Sequence, residues 1–255
     1  MARGSNIGTL HKKRILIAAK FLWKHRFFAS PAVFLIEMIM INFIPAIAVK
    51  YYQQQANFAE TTVPPANYKW NKDNIKGCIY KENTVADSYY VWTKLAVQQW
   101  REALREYTEN QKAWDITTHY VKSKADLESC DVKIYIYDTY KEFPGYPMQT
   151  GAYTEVKYND ENSRGTSDGD LDVRVYLAPI VLHGDGKTEI TLPHYAFRNS
   201  AVHEMGHVLG LGHVQSQKGY LMSPEFDFWQ EKDQLPITTL ELKTLVKVYG
   251  TNGFG

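Results

Sequence analysis

The chain has 255 residues, 14% of them aromatic, with 18 tyrosines and six tryptophans, enough for one well-filled domain and an appendage. Its formal charge of +1 hides an asymmetry: residues 1–26 hold seven Lys/Arg and no acid, so the remainder has 22 bases against 28 acids, a net of −6. A body of that sign argues against nucleic-acid binding. After the basic lead comes an apolar stretch, Phe27 to Val49, interrupted by Glu37, Asn42 and Pro45. It is long enough to span a bilayer, and the basic flank predicts the N-terminus inside and the body outside. Ala46-Ile47-Ala48 also resembles a signal-peptidase site, so a cleaved signal with secretion is the competing reading, and a buried soluble helix the third. Residues 50–67, with Gln53-Gln54-Gln55 and Pro64-Pro65, read as a linker, and the globular domain 68–255 follows.

Within that domain the pattern is strand, helix, then strands. Gly77 to Glu82 reads as a short strand. Asp87 to Tyr107 is an amphipathic helix, with Tyr89, Trp92, Ala96, Trp100, Ala103 and Tyr107 on one face beside Leu95 and Leu104. Ala113 to Val121 is a second strand. Val132, Ile134 and Ile136 alternate with Lys133, Tyr135 and Tyr137, which predicts a half-buried strand. Ala152 to Tyr158 is another strand, residues 159–170 a polar loop, and Leu171 to Leu177 a further alternating strand. Ala178 to Arg198 reads as irregular. Thr238-x-x-Glu241 is a capping box opening a last helix with Leu242, Leu245, Val246 and Tyr249 on one face; Gly250 caps it, and residues 251–255 are expected to fray.

The chemistry is concentrated in His203-Glu204-Met205-Gly206-His207-Val208-Leu209-Gly210-Leu211-Gly212-His213. On a helix His203 and His207 stand one turn apart on one face and can reach a single metal ion. Gly210 is where the helix should stop, because glycine accepts a left-handed cap, and the returning chain brings His213 as a third ligand. Three protein ligands with one open position describe a catalytic zinc site. Glu204 flanks the metal, where a base for its water is needed, while Val202, Met205, Val208 and Leu209 face a core. Solvated histidines on an ordinary helix are the bland alternative.

The two cysteines, Cys78 and Cys130, lack metal or redox spacing; in an exported domain they are expected to form one disulfide, with two buried thiols as the alternative. Asp168, Asp170 and Asp172 could bind calcium, but a solvated loop is the preferred reading and calcium is not assigned. His183 and His194 are read as surface residues rather than a second metal site.

The eleven-residue motif, with Met222 nine residues beyond it, resembles the metzincin clan of zinc endopeptidases, and Leu221-Met222-Ser223-Pro224 resembles its matrixin family. The resemblance implies an α+β zincin fold: a mixed five-stranded sheet, a long helix, an active-site helix, a Met-turn and a C-terminal helix. It implies that Met222 floors the zinc site and that Pro224 and Phe226 wall the pocket for the residue after the cleaved bond. It also implies a protein or peptide substrate, hydrolysed at one catalytic zinc with Glu204 as general base, by a monomeric enzyme. If the family order holds, Ala152 to Tyr158 is the edge strand that receives the substrate. The chain lacks a cysteine-switch propeptide pattern, and Ser223 stands where the family usually has an aromatic. A zinc hydrolase of another substrate and a non-enzymatic zinc-stabilised binding module are the rival readings; Glu204 speaks against the second, since a structural site needs no base.

Overall fold

The computed structural model describes residues 63–144, 151–158, 171–183, 186–214, 220–224 and 234–254. The chain divides into two units, Met1–Lys50 and Tyr51–Gly255, and every described residue falls in the second. The basic lead, the apolar stretch 27–49, most of the expected linker, Asp168, Asp170 and Phe226 therefore lie outside the described residues. Among those described, no helix is long and apolar enough to cross a membrane.

A five-stranded sheet in the order β2-β1-β3-β5-β4 organises the domain. Its strands are β1 (Asn74–Lys81), β2 (Asp115–Val121), β3 (Val132–Ile136), β4 (Ala152–Tyr158) and β5 (Leu171–Leu177). β1 pairs in parallel with β2 and β3, β3 pairs in parallel with β5, and β4 runs antiparallel along β5 as an edge. The architecture is thus α+β with a mixed sheet, as the resemblance implied.

Helix α1 (Asp87–Tyr107) places Asp87 in its first turn and Arg105 in its last, both favourable to the helix dipole. It buries Tyr89, Thr93, Ala96, Val97, Trp100 and Leu104. Leu95 is exposed instead of joining that face: five residues from Trp100, it lies about 140° around the helix. Trp100 is fully buried, and its indole N–H donates to Val202 O at 2.8 Å, joining α1 to the next helix. β3 is buried along its whole length rather than half-buried. Being central, it has Val132, Ile134 and Ile136 in the main core while Tyr135 stacks on Tyr176 with centroids 5.1 Å apart. A turn of 3-10 helix, Lys124–Ser129, brings Leu127 onto that second face, where Cys78 and Cys130 are joined by a disulfide with Cα atoms 5.9 Å apart.

Four other expectations change. β2 starts at Asp115 because Trp114 turns the chain with φ 58°. The segment read as irregular holds a two-stranded pair, β6 (Ile180–Leu182) and β7 (Glu189–Thr191), and then helix α2 (His194–Val208). α2 begins after Pro193 with no side-chain cap, so the usual hydroxyl or carboxylate signal of a helix start is missing. The C-terminus does not fray: Phe254 is buried, packing edge-on against Trp114 and Tyr249 at 5.2 Å each. Gly253 permits this at φ +95°, in a spot where a Cβ would sit 2.7 Å from Trp114 N. Packing also begins before Tyr68, since Val63 is buried and Pro65 bridges to Leu211. The last helix, α3 (Thr239–Tyr249), opens with both halves of the Thr238–Glu241 capping box in place and ends at Gly250, φ +79°.

Candidate metal centre and its supports

Helix α2 carries His203 and His207 one turn apart, then stops as a Schellman turn. Gly210, at φ +98°, donates to His207 O at 2.8 Å, and Leu211 N donates to Gly206 O at 3.0 Å. This reversal returns His213 to the same point. The three Nε2 atoms form a nearly equilateral triangle with edges of 3.0, 3.1 and 3.2 Å. Three nitrogens on a tetrahedral ion with bonds of 2.0–2.1 Å stand about 3.3 Å apart, so the triangle fits zinc. It is the only group of three or more metal-capable side chains among the described residues.

Two imidazoles are oriented from behind. His203 Nδ1 lies 2.6 Å from Leu221 O, and His207 Nδ1 lies 2.8 Å from Leu211 O. A carbonyl only accepts, so the proton belongs on Nδ1 and the Nε2 lone pair is left for a metal. Burial lowers the pKa of all three: His203 falls well below the ordinary value, His207 falls too, and His213 reaches about 4 through burial and neighbouring His207. Three neutral imidazoles are the protonation state a cation requires.

The end of α2 is held by groups far away in sequence. Tyr68 Oη donates to His207 O, Trp70 Nε1 donates to Val208 O at 2.8 Å, and Tyr249 Oη donates to Leu209 O at 3.0 Å. Ala66 N donates to Gly210 O, and Gly212 N donates to Pro64 O, each at 2.7 Å. The carbonyls that a helix C-terminus leaves without intrahelical partners are all satisfied, and the loop bearing His213 is clamped. Residues 63–67, read from sequence as linker, supply part of this clamp.

Met222 is fully buried beneath the helix. A Cβ added to Gly206 would meet its Sδ at 2.5 Å, so glycine is what admits the methionine there. Ser223 N donates to Tyr220 O at 3.1 Å, closing the turn, and Val214 N donates to Met222 O at 2.8 Å. The turn is thus tied to His203 through Leu221 and to the residue following His213. Pro224 is exposed at its far side.

Glu204 is buried, and burial raises its pKa to about 8, a shift partly countered by a hydrogen bond from Thr154. Thr154 stands on β4, with Oγ1 2.7 Å from Glu204 Oε2. Nothing in the sequence marks Thr154, since strand alternation says which face a residue takes but not what it meets. The calcium reading loses a ligand: the Asp172 carboxylate is held by Lys133 at 2.8 Å and Arg174 at 2.7 Å. His194 lies against the Trp92 ring with centroids 4.3 Å apart.

Among solved structures the chain is similar to metalloproteinase-II from Bacteroides fragilis, at 13% identity and a TM-score of 0.40 over 78% of this chain. The match spans 59% of that protein's chain, and at this level it carries no argument about fold or function. A comparison with curated proteins finds no match. The family model described as Matrixin, peptidase M10, matches residues 69–250. That range contains the histidine triangle, Glu204 and Met222, and matrixins are zinc-dependent proteases of protein or peptide substrates. The chain belongs to the matrixin family, with a metalloprotease domain over residues 69–250.

Proposed function

We propose that this chain is a zinc-dependent endopeptidase, with His203, His207 and His213 as ligands and Glu204 as general base and then general acid. The observation that carries the reading is the Nε2 triangle with 3.0–3.2 Å edges, two of its corners fixed by Nδ1 contacts to carbonyls. Zinc, when bound, would supply Lewis acidity, acidifying water at its open position and polarising the substrate carbonyl. Glu204 accepts the proton that water loses as it attacks the peptide carbonyl, then passes it to the departing amine nitrogen. Burial suits a group that must both take and release a proton near neutral pH, because it lifts the carboxylate toward that range.

Among the described residues β4 has β5 on one side only and stands at the edge of the sheet. An extended peptide pairs along its free side by main-chain hydrogen bonds, which favour no particular sequence. Selectivity then falls to the pocket after the scissile bond, with Met222 as floor and Pro224 and Phe226 as walls. The apolar stretch 27–49 serves as a single-pass anchor with the domain outside the membrane; a cleaved signal and secretion is the second reading. The disulfide Cys78–Cys130 supports an oxidising compartment in either case.

Digestion of a proteome-derived peptide library with the zinc-loaded protein, with and without chelator, tests the activity. The expected result is chelator-sensitive cleavage with preference concentrated at the residue after the cut bond. Intact peptides after prolonged digestion, with zinc bound, would refute the endopeptidase reading.

A further inference from the structure

We propose that Thr154 is a positioning residue for Glu204: its hydroxyl holds one carboxylate oxygen and so fixes the orientation from which Glu204 moves protons. The inference rests on the reading of Glu204 as the base.

Thr154 Oγ1 lies 2.7 Å from Glu204 Oε2 and 3.2 Å from the Glu204 backbone oxygen. It is the only side chain among the described residues that reaches the Glu204 carboxylate by hydrogen bond. Its surroundings explain why that contact exists. On β4 the residues two places to either side, Ala152 and Val156, pack against the apolar core. Side chains alternate across a strand, so Thr154 shares their face and puts a lone hydroxyl among apolar neighbours. A half-buried hydroxyl needs a partner, and Glu204 supplies two acceptors.

The two contacts also suit a carboxyl group that changes state. A hydroxyl has one proton to donate and lone pairs with which to accept. With Glu204 ionised, Thr154 donates to Oε2 across the shorter contact. With Glu204 protonated at that oxygen, the hydroxyl rotates to donate to the backbone oxygen and accepts from the carboxyl. Thr154 keeps its own proton throughout, so no proton is gained or lost at this residue. Heavy atoms need not move between the two states, which keeps the base in place during both transfers. The hydroxyl sits on the strand proposed to receive substrate, so peptide and base are positioned by one element.

The test uses the full chain as wild type, Thr154→Val, Thr154→Ser and Glu204→Gln, each assayed for zinc content, kcat and KM on a quenched peptide. Valine keeps the branched shape and strand preference while removing the hydroxyl. Thr154→Val should retain zinc and keep KM within about twofold while kcat falls about 10- to 50-fold, a part of what acid–base catalysis contributes. Thr154→Ser should recover kcat to within about threefold of wild type, since it restores the hydroxyl. Near-normal kcat in Thr154→Val, loss of its zinc, or equal impairment of the Ser variant would overturn the proposal. An active Glu204→Gln would instead remove the base assignment itself, and an inactive wild type would remove the peptidase reading, so the failures are distinguishable.

Discussion

Gly206 sits inside the metal-binding helix, where alanine would ordinarily be preferred by about 0.8–1 kcal/mol. Here alanine should destabilise. The new Cβ would lie 2.5 Å from Met222 Sδ, 3.1 Å from its Cε and 3.2 Å from Trp100 Cζ2. Comfortable contacts between such atoms are about 3.5–4.0 Å, so the methionine must move by about 1 Å. Met222 is flexible, but it is fully buried, and Trp100 closes the other side. Overpacking of this kind costs about 1–3 kcal/mol, which offsets the helix gain and leaves a net loss of up to about 2 kcal/mol. In a domain of this size Gly206→Ala should lower the melting temperature of the zinc-loaded protein, by up to about 4–8 °C at the upper end of that loss. Met222→Ala alone should cost about 2–4 kcal/mol through the cavity it leaves. The double variant should cost less than the sum by about 1–2 kcal/mol, because the added methyl enters the vacated space. Thermal melts of the four proteins complete the cycle. A stabilised Gly206→Ala, or strict additivity with Met222→Ala, would refute the placement of the methionine beneath the helix.

Ala66→Pro removes the N–H that donates to Gly210 O at 2.7 Å and should cost about 1–2 kcal/mol while speeding zinc loss to chelator; unchanged stability and zinc retention would show the clamp to be idle. Replacing both Cys78 and Cys130 by alanine opens a loop spanning 52 residues, and chemical denaturation should record a loss of about 2–4 kcal/mol, with a loss under about 0.5 kcal/mol contradicting it. In metal-free protein, the folded-state pKa of Glu204 is raised to about 8 from the ordinary 4.5. Its contribution is fully present below the unfolded value and is lost as pH rises through about 8. Wild type should therefore lose about 2 kcal/mol relative to Glu204→Gln between pH 6.5 and 8.5, measured by urea titration. Parallel curves for the two proteins would contradict that burial. Zinc should flatten the difference, because a nearby cation favours the carboxylate.

Local rules made much of this molecule readable. α1 follows from the spacing of Tyr89, Ala96, Trp100 and Leu104, and α3 from the reciprocal capping chemistry of Thr238 and Glu241. The metal ligands were legible because helical geometry places His203 above His207 and glycine permits the reversal at Gly210. Features that depend on distant partners were not legible. Val63 and Pro64 looked like linker because proline-rich sequence carries no sign of the loop it will pair with. Phe254 looked frayed because the site it fills is built by Trp114 and Tyr249. The lack of a polar cap before His194 hides the start of α2, and Leu95, three residues from Trp92, fits the helical spacing although its angle from Trp100 turns it outward. Thr154 reads as an ordinary strand residue until β4 is laid beside α2.

The most direct measurement of the central claim is turnover of a quenched peptide by wild type and Glu204→Gln, each titrated to equal zinc content. One zinc per chain is expected in both, with a fall in kcat of about 10²–10⁴-fold in the variant. A Glu204→Gln protein that binds zinc equally and turns over at a rate near that of wild type would contradict it.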